Sequence, residues 1–262
     1  MADVWQAGDL YEPYVGRWSR LVAREFLDWL SVPPGRAWLD VGCGTGALSQ
    51  TILDFQAPSA VIGVDASPGY VEYARARVRA DGGARFEVAD ARSLPLDDAS
   101  VDAAVSGLVL NFVPEPARAV SELSRVVRPG GVAAVYVWDY AGRMELMRHF
   151  WDAAVALDPG ARSLDEGSRF PICRPEALTD LFSGAALSAV ETRPIDVPTV
   201  FRDFDDYWLP FLGGQGPAPS YAMTLSEERR VALRERIHAE LPITTDGAIP
   251  LNARAWAVRG ER

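Results

Sequence analysis

Apolar positions along the 262-residue chain alternate between helical and strand-like spacing. Over 15–30, Trp18, Leu21, Val22, Phe26 and Trp29 fall three and four residues apart, which predicts a helix with one apolar stripe. Ser31-Val32-Pro33-Pro34-Gly35 ends it. A short buried strand, 37–41, follows, then a glycine-rich turn and a helix opening at Ala47. The alternation continues with a strand at 61–65 and a helix N-capped by Ser67 with Pro68 at its first position. That helix carries Val71, Ala74 and Val78 on one side, with Arg75, Arg77 and Arg79 elsewhere. Strands at 85–89 and 101–106, a helix at 116–127 and a strand at 132–138 complete the pattern, with Arg128-Pro129-Gly130-Gly131 stopping the helix. Beyond it the spacing predicts helices at 144–157, 175–182 and 227–241 and strands at 187–194 and 251–258. Residues 201–221, rich in aromatics, glycines and prolines, are expected to be irregular.

Strands alternating with helices imply an α/β fold with a doubly wound, mostly parallel seven-stranded sheet. In such a sheet ligands sit at the C-terminal strand ends, here Gly42, Asp65, Asp90, Ser106 and Asp139. The chain is expected to form a single domain over 1–262. Within it, 1–35 is an N-terminal flap and helix, 36–140 a cofactor-binding core, and 141–262 a substrate-side half with an aromatic lid at about 200–241.

Composition narrows the function. At 48% hydrophobic residues the chain can bury one sizeable core, and no run approaches the roughly 18 apolar residues of a membrane span. Met1-Ala2-Asp3-Val4-Trp5-Gln6 lacks the basic and apolar segments of a secretory signal, so a cytoplasmic location is expected. A net charge of −10 argues against nucleic-acid binding. All 26 basic residues are Arg, which excludes Schiff-base chemistry and lysine-dependent phosphate loops. Cys43 and Cys173 give no disulfide framework, and Cys43 reads as a small filler within its turn. His149 and His238, the only histidines, cannot build a multi-histidine metal site, so no metal is expected.

The chemistry concentrates on Leu39-Asp40-Val41-Gly42-Cys43-Gly44-Thr45-Gly46. Its glycines let a ligand approach the backbone, and the following helix N-terminus favours negative charge. Gly42, Gly44 and Ala47 also fit the G-x-G-x-x-G/A dinucleotide fingerprint. Asp65, 19 residues beyond Gly46, has the spacing of a carboxylate that bridges ribose hydroxyls. Nicotinamide dinucleotides and S-adenosylmethionine both satisfy these features, and the turn alone leaves the choice open.

Taken in order, this turn, Val64-Asp65, Ala89-Asp90-Ala91, Leu94-Pro95 running into Val101-Asp102, and Glu122 to Gly131 resemble the class I S-adenosylmethionine-dependent methyltransferases. The likeness is to the small-molecule branch (methyltransferase type 11) that includes ubiquinone/menaquinone-biosynthesis enzymes. It is strong over 37–139. The resemblance implies a Rossmann-like fold, S-adenosyl-L-methionine as cofactor, S-adenosyl-L-homocysteine as product and a small organic acceptor, partly aromatic or apolar. It implies that Gly42, Cys43 and Gly44 pass the methionine portion and that Asp40 helps hold the ammonium. Asp65 would take both ribose hydroxyls and Asp90 the adenine amine, with Ala66, Ser67 and Ala91 walling the ring. Leu108 and Asn111 would lie beside the transferable methyl. Tyr11, Tyr14, Gly16, Arg17 and Trp18 look like a flap, from which Arg17 would pair the methionine carboxylate.

The chain departs from that pattern at Leu110-Asn111-Phe112, where many relatives carry a histidine-bearing stretch. The Asn-Pro-Pro-Tyr motif used on exocyclic amines is also missing. Asp139, Tyr140 and His149 are candidates for a general base by position only. Asp102, near the start of its strand, reads as structural, and Arg17 reads as a solvated helix residue sooner than as a carboxylate clamp. Two other functions fit the same turn: a nicotinamide-dependent oxidoreductase and a non-catalytic S-adenosylmethionine-binding module. The oxidoreductase lacks a Tyr-x-x-x-Lys couple.

Overall fold

A computed structural model describes residues 12–78, 83–214 and 216–262. Tyr11 and Arg79 lie outside the described residues. Seven strands form one sheet: β1 (Ala37–Val41), β2 (Ala60–Asp65), β3 (Ala84–Val88), β4 (Val101–Gly107), β5 (Val127–Trp138), β6 (Ser188–Phe201) and β7 (Ile249–Glu261), in the order β3-β2-β1-β4-β5-β7-β6. β1 pairs in parallel with β2 and β4, β2 with β3, and β4 with β5. Ser188 bonds Glu261 and Glu191 pairs with Arg259, so β7 runs against β6. The order reverses direction at β1, and that is where a doubly wound sheet opens its ligand crevice.

The helices are α1 (Arg17–Leu30), α2 (Ala47–Phe55), α3 (Pro68–Arg77), α4 (Pro116–Val126), α5 (Glu145–Leu157), α6 (Glu166–Arg169), α7 (Pro175–Ser183), α8 (Phe204–Trp208), α9 (Pro217–Thr224) and α10 (Glu227–Glu240). Two compact units contain them. The first comprises Ser19–Val137, Arg174–Ile195 and Ala255–Arg262, and the second comprises the chain up to Trp18, Trp138–Cys173 and Asp196–Arg254.

In the first unit the apolar face of α4 (Ala119, Val120, Leu123, Val126) is buried, as are Ala103, Ala104 and Val105 of β4 and Ala133 to Val137 of β5. Phe26 of α1 meets Tyr136 of β5 at 4.7 Å between ring centroids. The Arg128-Pro129-Gly130-Gly131 stretch after α4 is extended rather than a closed turn. Gly130 N–H donates to the Arg262 carbonyl and Arg262 N–H to Gly131, which starts β5 at Val127 instead of 132. Arg125 and Glu122 do structural work here. The Arg125 guanidinium reaches the Leu94 and Leu96 carbonyls and Asp98, and Glu122 accepts the Leu94 N–H. Asp102 is structural as expected, accepting the Ala37 N–H at 2.8 Å and pairing with Arg36 and Arg128.

The second unit corrects one expectation. Residues 201–221 are not irregular: Asp203 caps α8 through the Asp206 N–H, a 3₁₀ turn covers Leu209–Gly213, and Pro217 opens α9. Its rings pack into a core. Phe211 stacks on Phe150 at 4.5 Å and meets Tyr14 and Tyr207 edge-on or tilted at 5.4 and 5.5 Å, while Tyr221 lies 5.5 Å from Trp151. Burying this much aromatic area holds a segment whose glycines and prolines favour no long helix. Neither Pro159–Ser163 (3₁₀) nor α6 is foreshadowed by a sequence period.

Candidate active site

β1 runs into the glycine turn and then α2, whose N-cap Gly46 provides no side-chain cap, so the helix's first amides rely on other partners. The turn is stapled to β2, since Gly42 N–H and Cys43 N–H both donate to the Val64 carbonyl at 2.7 and 2.9 Å. Gly42 has φ +73°, and a Cβ there would sit 2.5 Å from Val109. Only glycine allows the loop after β4 to lie this close. Gly44 has φ +51°, and nothing lies within 4 Å of where its Cβ would be, so the backbone borders open space. Cys43 is buried with Val71, Ala74, Val78 and Phe86, the packing role expected of it, and burial pushes its thiol up.

Asp65 closes the turn from the end of β2. One carboxylate oxygen accepts Gly44 N–H at 2.9 Å and the other accepts Ser67 N–H at 2.8 Å. Burial raises the acid, and the two backbone N–H bonds pull it back. Each oxygen keeps a lone pair for a hydroxyl. Asp40 lies below, 1% exposed, accepting the Ser49 hydroxyl at 2.7 Å. Burial pushes it up to about 7, and the neighbouring Asp65 charge adds to this.

The remaining predicted residues divide between the two units. Asp90 is exposed and gripped by Arg92, whose hydrogen bonds bring it down to about 2. Ala66 is exposed, and Ser67 and Ala91 are half-buried. Leu108 follows β4 with φ +62°, a conformation a leucine rarely adopts, fixed by its N–H to the Tyr136 carbonyl at 2.8 Å. Both amide atoms of Asn111 are buried with no partner among the described residues.

In the second unit, Tyr14 is 2% exposed and donates to Met147 Sδ at 3.0 Å. Arg17 is neither a free nor a solvated cation: its guanidinium forks onto Asp206 at 3.0 and 3.2 Å and packs over Trp18 and Phe201. Asp139 accepts the Arg143 N–H at 2.9 Å, Tyr140 packs on Phe170, and His149 is half-buried on α5, with burial lowering its basicity. His238 meets Phe204 edge-on. Glu166, on α6, is fully buried and accepts the Trp151 indole N–H, and burial pushes it up to about 8. A lone glutamate in Leu164-Asp165-Glu166-Gly167 carries no sequence signal of this. Among the described residues no group of three or more His, Cys, Asp or Glu could hold a metal ion, and no helix is long and apolar enough to cross a membrane.

The open space over Gly44 and the unfilled lone pairs of Asp65 fit a cofactor with a backbone-hugging end and a diol.

Residues 39–135 match the family model described as a methyltransferase domain. Methyltransferase GfsG of Streptomyces halstedii is 31% identical over 225 residues, covering 82% of this chain and 77% of that protein. The 2-methyl-6-phytyl-1,4-hydroquinone methyltransferase of Synechocystis sp. is 31% identical over 188 residues, covering 71% of this chain and 58% of that enzyme. The chain spans between 50% and 58% of the length of the first two curated relatives it matches. The fold is shared with phosphoethanolamine N-methyltransferase 2 of Haemonchus contortus in complex with S-adenosyl-L-methionine, at TM-score 0.59 and 14% identity, covering 92% of this chain and 52% of that one. On these matches, and on a sheet whose strand order opens at the glycine turn, the chain belongs to the class I S-adenosylmethionine-dependent methyltransferase family.

Proposed function

We propose that the protein transfers a methyl group from S-adenosyl-L-methionine to a small, partly aromatic or apolar organic molecule, releasing S-adenosyl-L-homocysteine. The observation that carries this reading is Asp65 holding Gly44 N–H at 2.9 Å beside open space at the strand ends. The bound cofactor supplies a methyl group already activated on a sulfonium. Gly42 and Gly44 let the methionine portion lie along the backbone, and Asp40 receives its ammonium. Asp65 accepts the ribose hydroxyls in charge-assisted bonds. Ala66, Ser67 and Ala91 flank the adenine, and Asp90 offers its amine an acceptor already shared with Arg92. Leu108 and Asn111 close the methyl end. The chain's work is alignment and water exclusion.

The acceptor class is supported by the Synechocystis relative, whose name describes an aromatic hydroquinone acceptor. We further propose that the chain acts as one domain in the cytoplasm, away from nucleic acid and membrane, in keeping with its net charge of −10. Calorimetric titration with S-adenosylhomocysteine and NADH, followed by labelled-methyl transfer to a metabolite panel, tests the function. Selective binding of NADH overturns it in favour of an oxidoreductase. Tight S-adenosylhomocysteine binding without transfer to any metabolite makes the protein a binding module.

A further inference from the structure

Helix α2 opens without the side-chain cap that a helix N-terminus usually carries. Gly46 stands at its N-cap with φ +84° and no side chain to offer, so the amides of the first turn take acceptors from elsewhere. The third helical residue, Ser49, finds one on β1. Its hydroxyl donates to Asp40 Oδ2 at 2.7 Å, and its backbone amide also favours the charged carboxylate. Ser49 is 0% and Asp40 1% exposed, so neither group relies on bulk water. In the sheet Asp40 lies level with Gly63 of β2 and Val105 of β4, which carry no charge. The titratable groups in its field are Asp65 at the end of β2 and the Cys43 thiol in the turn, and neither is a cation. A carboxylate buried near a second carboxylate is costly without a positive partner, and burial pushes Asp40 up to about 7. The hydrogen bonds at the helix end offset part of that cost.

We infer that Ser49 is a positioning residue for cofactor binding, its hydroxyl fixing the Asp40 carboxylate beneath the glycine turn so that the cofactor's ammonium supplies the missing positive charge. This rests on the cofactor reading above. Asp40 stands two residues before Gly42, and Asp65, whose charge it feels, holds the Gly44 N–H at 2.9 Å. A buried charge is weakly screened and acts through the backbone of the turn, so the ammonium need not enter the core. The hydroxyl does two things. It orients one carboxylate oxygen, and it favours ionisation in the pH range where burial would leave the acid neutral. A neutral Asp40 attracts an ammonium only as a dipole. Affinity for a ligand with an amino-acid end should therefore rise with pH as Asp40 ionises, and the Ser49 hydroxyl sets where that rise falls.

The test is calorimetric titration of the full chain between about pH 6 and 8 with S-adenosylhomocysteine and with 5′-methylthioadenosine, which lacks the amino-acid end. The wild type should bind S-adenosylhomocysteine more tightly as pH rises through about 7, while its affinity for methylthioadenosine stays within twofold. Ser49→Ala removes a group that favours the charge, so the rise should move to higher pH. At pH 7 the variant should bind S-adenosylhomocysteine about three- to tenfold more weakly and methylthioadenosine within twofold of the wild type. Ser49→Cys, nearly isosteric and a weaker donor, should displace the rise in the same direction. Asp40→Asn should abolish the rise, and adding Ser49→Ala to it should change affinity by less than twofold. A rise that persists in Asp40→Asn would belong to Asp65 and overturns the assignment. Variants that weaken binding equally at every pH, or for both probes, would reduce Ser49 to a packing residue. Wild-type binding of S-adenosylhomocysteine without pH dependence would overturn the role of Ser49 and leave the cofactor reading standing. No binding at any pH would overturn that reading, and this inference with it.

Discussion

Asp65 accepts the Gly44 backbone N–H at 2.9 Å across the ends of β2 and β1, so a carboxylate from one strand shapes the turn that follows the other. Asp65→Ala removes acceptors for Gly44 and Ser67 and for the ribose. Titration calorimetry should show S-adenosylhomocysteine binding weakened by about 1–3 kcal/mol, the size of lost charged hydrogen bonds. An unchanged dissociation constant would reduce Asp65 to a capping residue.

The two glycines of the turn should respond differently to the same added methyl. At Gly42 an alanine meets Val109 as well as an unfavourable φ of +73°, and should cost about 2–4 kcal/mol of stability. At Gly44 the methyl meets nothing, so only the backbone penalty of about 1–2 kcal/mol remains, yet the methyl occupies the proposed ligand space. Urea denaturation separates the two. Gly44→Ala should fold nearly normally and bind S-adenosylhomocysteine poorly. Equal stability losses would contradict the open space.

The sheet, its parallel order and the glycine turn were legible in the chain because strand and helix periods alternate cleanly from 37 to 138. The place of Asp65, at the end of β2 beside the turn, was legible from its spacing. What was not legible depends on distant partners. The extension of β5 back to Val127 comes from pairing with Arg262, which local turn chemistry at Pro129-Gly130-Gly131 cannot reveal. The aromatic stretch hid its helices behind glycine and proline, although Asp203 and Pro217 are ordinary helix-start signals. Arg17 read as a cofactor clamp or a solvated residue, but its partner Asp206 lies 189 residues away.

Arg17→Ala tests that partnership. The pair is partly shielded, with the arginine side chain 30% and the aspartate 10% exposed, so its loss should cost about 1–2 kcal/mol, between surface and buried values. Because the guanidinium is already engaged, S-adenosylhomocysteine affinity should change less than threefold. A tenfold loss would restore Arg17 as a carboxylate ligand.

Glu166 gives the second unit a pH signature. Its acid is held up to about 8 by burial, against an ordinary value near 4.5, which the Trp151 N–H and the Arg169 charge offset only in part. Below about 4.5 the group is neutral in both folded and unfolded chains and costs nothing. As pH rises toward 8 the unfolded chain ionises while the folded one does not, and stability falls by at most roughly 1.4 kcal/mol per pH unit. Above 8 the loss levels off. Glu166→Gln keeps an acceptor for Trp151 and removes the titration, so the variant should gain on the wild type steadily from pH 5 to 8. Asp40, raised by burial to about 7, titrates in both proteins and cancels in the comparison. Thermal melts of the two proteins at half-unit intervals provide the measurement, and parallel curves would show that Glu166 is charged in the folded protein.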